Sequence, residues 1–178
     1  GVLWAVEVDE DFHARFSAES RRYRYVLLNR KIRPGLLRGR VGWTFGPLDV
    51  DAMTEAALYL VGEHDFTSFR AAECQAKSPV RQVHSVSVAR QGDYVLFDFH
   101  ANAFLHHMIR NLVGSLVFVG KGRRPVEWMA ELLAARNRTL AAPTFAPDGL
   151  YLCGVDYPAQ WPLPGGGRII APPQLLLP

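Results

Sequence analysis

The chain has 178 residues, 49% hydrophobic and 21% charged, an ordinary globular balance with enough length for one full core. Its most apolar stretch, residues 112–119, is far shorter than the roughly 18 residues a membrane-spanning helix requires, so a soluble protein is expected. The net charge of +3 conceals an asymmetry: residues 12–40 hold nine arginines or lysines and one acid, Glu19, leaving an acidic remainder.

In chain order, "VLWAVEV" at 2–8 reads as a strand, and a chain that starts at Gly1 with such a unit reads as a fragment of something longer. "RRYRYVLLNR" at 21–30 is a second strand, and the turn-rich "RPGLLRGR" after it is a loop studded with arginine. So dense a local surplus of cations suits a polyanion such as nucleic acid, whose phosphates accept charge-assisted hydrogen bonds. "LDVDAMTEAALYLVG" gives an amphipathic helix capped by Asp49, with Met53, Ala56, Ala57, Leu60 and Val61 on one face and Gly62 as the stop. Residues 83–90 and 94–101 form a hairpin that turns at Gly92 and Asp93.

From Phe104 a central helix follows, with Met108, Leu112, Ser115 and Leu116 at helical spacing. A further helix starts near Pro125 and carries Val126, Met129, Leu132 and Leu133 inward, and 149–157 returns as a strand. Six of the 12 prolines fall from Pro158 onward, so residues 159–178 form a tail that wraps the surface or is disordered, beyond a domain spanning 1–158. Helices separated by hairpin-like strands predict an α+β domain, mainly an antiparallel sheet covered by helices. Cys74 and Cys153 have no metal-type spacing, which fits two reduced thiols in a cytoplasmic protein, although one bridge between them is also open.

Within "ANAFLHHMIRNLVGSL" at 101–116, Arg110 sits two positions from Met108 and Leu112, off the apolar face, and three and four from His107 and His106 on helical spacing. A guanidinium beside a core helix requires an anionic partner, in the protein or on a ligand. Asp98 and Asp156 are the internal candidates.

Four segments, "DFHARFSAESRRYRY" (11–25), "GEHDFTSFRA" (62–71), "FHANAFLHHMIRNLVGSL" (99–116) and "GLYL" (149–152), closely resemble the tRNA pseudouridine synthase A family over about residues 9–158. The resemblance implies the C-terminal half of the pseudouridine synthase fold. It also implies conversion of uridine to pseudouridine at positions 38–40 of the tRNA anticodon stem-loop, without metal or organic cofactor. The family's nucleophile is an aspartate in a "GRTD" motif, and none of the 17 acids here follows Gly-Arg-Thr. The chain alone is therefore expected to be inactive, with its N-terminal half, tRNA and a second copy of the full-length protein as partners.

By the same resemblance Tyr23 is the active-site tyrosine, stacking on the base and taking the C5 proton. Arg110 pairs with the missing aspartate, and Leu150 packs on the uracil. Arg110 is accordingly expected to face an open cleft in which Tyr23 and Leu150 converge. Arg21, Arg22, Arg24, Arg30, Lys31, Arg33, Arg38, Arg40 and Arg70 are candidates for RNA contact, although strand alternation turns Tyr23 away from Arg22 and Arg24. His106 and His107 join them: adjacent helical positions point about 100 degrees apart and serve one metal ion poorly. Two other readings are a stand-alone RNA-binding domain without catalysis and a metal-dependent hydrolase built on the histidines. The upstream reading frame separates the first from the synthase, and elemental analysis separates the second.

Overall fold

Alternating aromatic, branched and basic residues make one strand the axis of the molecule. In the computed structural model, which describes residues 2, 4–165 and 167–170, β1 spans Ser20–Asn29. The two-residue period of a strand divides its side chains between two cores. Tyr23, Tyr25 and Leu27 join the larger core, and Val26 and Leu28 join a smaller one on the other face.

β1 pairs antiparallel with β5 (Tyr94–Ala101) along one edge. Its other edge is shared: Ser20–Tyr25 pair antiparallel with β6 (Leu150–Asp156), and Leu27–Asn29 pair parallel with β2 (Gly42–Thr44). β4 (Val80–Gln91) forms the expected hairpin with β5. β3 (Gly62–Asp65) and β7 (Arg168–Ile170) end the described sheet, whose order is β3-β4-β5-β1-β6-β7. In β5 the alternation is complete, with Val95, Phe97, Phe99 and Ala101 buried.

Three helices cover the face that carries Tyr25, Leu27, Phe97 and Phe99. α1 (Val50–Leu58) is capped by Asp49, whose carboxylate accepts from the Ala52 amide at 2.9 Å, and buries Met53, Ala56 and Ala57. α2 (Met108–Gly120) buries all but two of its 13 residues, and α3 (Trp128–Ala135) buries Trp128, Met129 and Leu132. The α+β architecture, an antiparallel sheet with helices packed on it, is as the sequence predicts. No helix among the described residues is long and apolar enough to cross a membrane.

Four local expectations change. Of the stretch 2–8, the described residues 2 and 4–8 form no strand: no strand lies alongside them, and Val2, Trp4 and Val6 are exposed. Gly62, expected as a helix stop, instead opens β3 at a positive φ of 113°, while α1 ends at Leu58 with Tyr59 as its C-cap. The central helix starts at Met108, not Phe104, because His107 takes a left-handed conformation and the His106 carbonyl accepts from the Ala71 amide at 3.1 Å. Residues 168–170 pair with β6 at Gly154–Asp156. The remainder of the expected tail, 171–178, and residue 166 lie outside the described residues.

Candidate active site

Tyr23 and Tyr25 stand on the helix-covered face of β1, about 7 Å apart along the strand. The Tyr23 ring is half-buried and meets Phe104 edge-on at 5.2 Å, with Phe99 beside it on β5. Burial pushes its phenol above the ordinary value, and the nearby Arg21 charge partly offsets this. At neutral pH the hydroxyl is therefore intact. Arg21 shares the Tyr23 face and donates to the carbonyls of Ala18 at 2.9 Å, Asn102 at 2.6 Å and Arg15.

Tyr25 is fully buried, and its hydroxyl donates to the Ala146 carbonyl at 2.8 Å. Burial raises its phenol well above the usual range, opposed by the charge of Arg110. Leu150 stands directly across from Tyr25 on β6, half-buried on the same core. It is placed by Gly149, at φ +97°, where any Cβ would collide with the Val26 carbonyl and the Gly42 amide. Leu152, opposite Tyr23, is 46% exposed and extends the apolar floor toward solvent.

Arg110 projects from the first turn of α2. Its Nε donates to the Phe145 carbonyl at 2.8 Å, the Phe145 amide donates back to the Arg110 carbonyl at 3.2 Å, and the Phe145 ring lies 5.9 Å from Tyr25. Among the described residues it has no carboxylate partner. Asp98 accepts a fork from Arg24 at 2.7 and 3.0 Å, and Asp156 accepts from Arg22 at 2.5 Å, both on the opposite face of the sheet. The internal ion pair that the sequence allowed for Arg110 is thus not formed. Tyr23, Leu150 and Arg110 instead gather round Tyr25 and Phe145 on one face.

A buried network that the sequence reading missed holds the Phe145 segment. Asn111, fully buried on α2, donates to the Phe69 carbonyl at 2.8 Å, and its Oδ1 accepts from Thr144 at 2.7 Å and Arg138 at 3.0 Å. Arg138 also donates to the Ala142 carbonyl at 2.9 Å. Gly114, one turn beyond Arg110, lets the segment approach, since a Cβ there would lie 2.6 Å from the Pro143 carbonyl. Asn111 and Gly114 lie on α2, while Arg138, Pro143 and Thr144 come from the irregular segment 138–146, so no spacing rule signals their meeting.

The remaining candidates divide by location. Arg22 and Arg24 are held by their acids, and Arg22 lines a separate cavity of about 540 Å³ with Ser20, His84, His100 and Asp156. Arg30, Lys31, Arg33, Arg38 and Arg40 are exposed on the loop after β1, with Arg33 over the Trp43 ring at 4.6 Å. Arg70 donates to the carbonyls of Cys74 at 2.6 Å and Ala76 at 3.0 Å, bracing its own loop. His106 and His107 precede α2 rather than lying on it, and their rings stack at 3.9 Å, which corrects the helical geometry expected of them. Burial, His106 and Arg110 together push the His107 imidazole below its ordinary value. Among the described residues no three His, Cys, Asp or Glu side chains are grouped to hold a metal ion.

Comparison with known proteins bears directly on this arrangement. The chain is 65% identical over 174 residues to "tRNA pseudouridine synthase A" of Aromatoleum aromaticum, covering 98% of this chain and 66% of that protein. It is 60% identical over 163 residues to the protein of the same name in Dechloromonas aromatica, covering 92% of this chain and 62% of that protein. The Bordetella avium protein of that name is 55% identical over 174 residues, covering 96% and 65%. The chain thus spans just under two thirds of the length of these relatives. Residues 56–158, which contain α2, Arg110, the Phe145 segment and Leu150, match the family model described as tRNA pseudouridine synthase, and by that match and these identities the chain belongs to the tRNA pseudouridine synthase family.

Proposed function

We propose that this chain is the base-handling portion of an enzyme that isomerises uridine to pseudouridine in the tRNA anticodon stem-loop, at positions 38–40. The observation that carries the reading is Arg110, anchored through Nε alone to the Phe145 carbonyl, with no carboxylate partner among the described residues and with Tyr23 and Leu150 on the same face. Isomerisation breaks the C1′–N1 bond as the carboxylate attacks C1′, turns the uracil, joins C1′ to C5 as the carboxylate leaves, and removes the C5 proton. Each step makes a demand that one of these residues meets. Leu150 and Leu152 give the uracil an apolar floor, and the Tyr23 ring gives it a stacking plane. Once the new bond has formed, the C5 proton passes to the Tyr23 oxygen as the hydroxyl gives up its own proton to solvent.

Arg110 stabilises the charged form of an attacking carboxylate, which the rest of the protein supplies from the family's "GRTD" motif. Its anchored Nε leaves the outer edge of the guanidinium for that carboxylate, in the bidentate geometry arginine favours. The N-terminal half and tRNA as partners, a cytoplasmic location and homodimerisation of the whole protein complete the reading, as the family resemblance implies.

Joining this chain to the N-terminal portion of its Aromatoleum aromaticum relative should yield tritium release from tRNA labelled at uridine C5, whereas the 178-residue chain alone should give none. Repeated turnover by the chain alone would show that the nucleophile lies within it. In the joined protein, Tyr23→Phe should abolish release and leave tRNA affinity nearly intact.

A further inference from the structure

Two groups of cations remote in sequence meet at the far end of α2. Arg33 lies 4.6 Å from the Trp43 ring, Trp43 and Phe45 are 5.7 Å apart, and Lys121 Nζ sits 5.2 Å from the Phe45 ring. Arg123 covers Phe118 at 5.2 Å. Phe45 is 61% exposed on this surface. Among the described residues no carboxylate pairs with Arg33, Lys121 or Arg123. Asp49, whose amide meets the Gly120 carbonyl at this edge, commits its carboxylate to capping α1. Burial and the charge of Arg123 both push the Lys121 ammonium down, so an anion seated here would relieve a repulsion already present.

This surface continues into the candidate active site. Arg110, Gly114 and Val117 recur on one side of α2 and Lys121, its C-cap, continues that side, the eleven steps from Arg110 to Lys121 rising about 16 Å. Gly114, Val117 and Lys121 wall a cavity of about 320 Å³ together with Phe145 and Ala146, whose carbonyls hold Arg110 and Tyr25. An exposed ring, Phe45, between the half-buried rings of Trp43 and Phe118 and interleaved with cations that no described carboxylate pairs, is the chemistry that holds unstacked nucleotides, through base stacking and phosphate contact.

We propose that this groove seats the loop nucleotides adjoining the target uridine, with a base stacked on Phe45 and phosphates held by Arg33, Lys121 and Arg123. The proposal rests on the reading of the Arg110 site as acting on RNA, and it adds a binding surface that the family motifs do not contain. Fluorescence anisotropy of labelled anticodon stem-loop RNA, titrated with the full-length protein from about 50 to about 200 mM salt, tests it. Phe45→Ala should weaken binding about tenfold with the salt slope unchanged, because stacking carries no counterion release. Lys121→Gln with Arg123→Gln should lower the slope by about one and a half and weaken binding at low salt. Circular dichroism should match the parent in both cases.

If the parent protein binds and both variants keep its affinity and slope, the groove is not an RNA site, while the functional reading stands. Variants that alter the sedimentation coefficient but not RNA affinity would make the surface a protein interface and overturn the proposal. A parent protein with no RNA affinity would defeat both readings.

Discussion

Arg110 donates through Nε to a carbonyl, and among the described residues no carboxylate pairs with its guanidinium. Its Nε bond to Phe145 fixes the plane of the group, and the Asn111–Arg138–Thr144 network fixes Phe145 in turn. Tyr23, Arg110 and Leu150 are legible in the sequence because each sits inside a contiguous motif. Phe145, Arg138 and Thr144 lie outside those motifs, and Asn111, although inside one, shows no partner there: their contacts depend on how residues 138–146 cross α2, which leaves no periodic trace. Tyr25 is legible only as a strand residue, yet it occupies the centre of the site. Its hydroxyl bond to Ala146 should make Tyr25→Phe about 1 kcal/mol less stable in urea denaturation at neutral pH. Because burial raises the folded phenol above the unfolded value, Tyr25 contributes stability that is present below about pH 10 and lost as pH rises beyond it. The parent should therefore lose more stability than Tyr25→Phe on going from neutral to strongly alkaline pH. Equal losses would show that the Tyr25 phenol titrates alike in both states.

The elements with a strong period and a clear cap were the readable ones. Asp49 starts α1 where its carboxylate predicts, and Gly92 turns the β4–β5 hairpin. Local pattern misleads where tertiary contacts override it. Phe104 and Leu105 continue the apolar spacing of α2, but His106 is drawn to the loop at Ala71 and Cys74, and the helix waits for Met108. β3 is short and polar, so "GEHD" gave no strand period, and its pairing with β4 alone defines it. Gly114 shows the same dependence on a neighbour, since only the approach of Pro143 makes its missing side chain matter. Gly114→Ala, harmless to an isolated helix, should cost about 1–3 kcal/mol here by forcing the 143–146 segment away. It should also slow turnover in the full-length protein, because Phe145 would move with that segment. A melting temperature within experimental error of the parent would mean that the segment yields freely.

At the scale of the molecule, one strand organises both faces. β1 carries Tyr23 and Tyr25 toward the helices and Arg22 and Arg24 away from them, so the basic run of residues 12–40 is divided between two surfaces. Strand alternation made that division legible, but the strand order and the sharing of one β1 edge by β2 and β6 were not, since register depends on partners distant in sequence. All three groups assigned to uracil and nucleophile lie on the helix-covered side, where α2, β1 and β6 meet. Whether Arg110 serves a carboxylate at this junction is measured most directly by single-turnover tritium release with full-length protein carrying Arg110→Gln. The rate should fall about 10³-fold while tRNA affinity stays within about twofold, as expected of a group that keeps the nucleophile ionised and in position without holding the tRNA. A rate within about threefold of the parent would contradict it, leaving Arg110 a structural brace for the Phe145 loop.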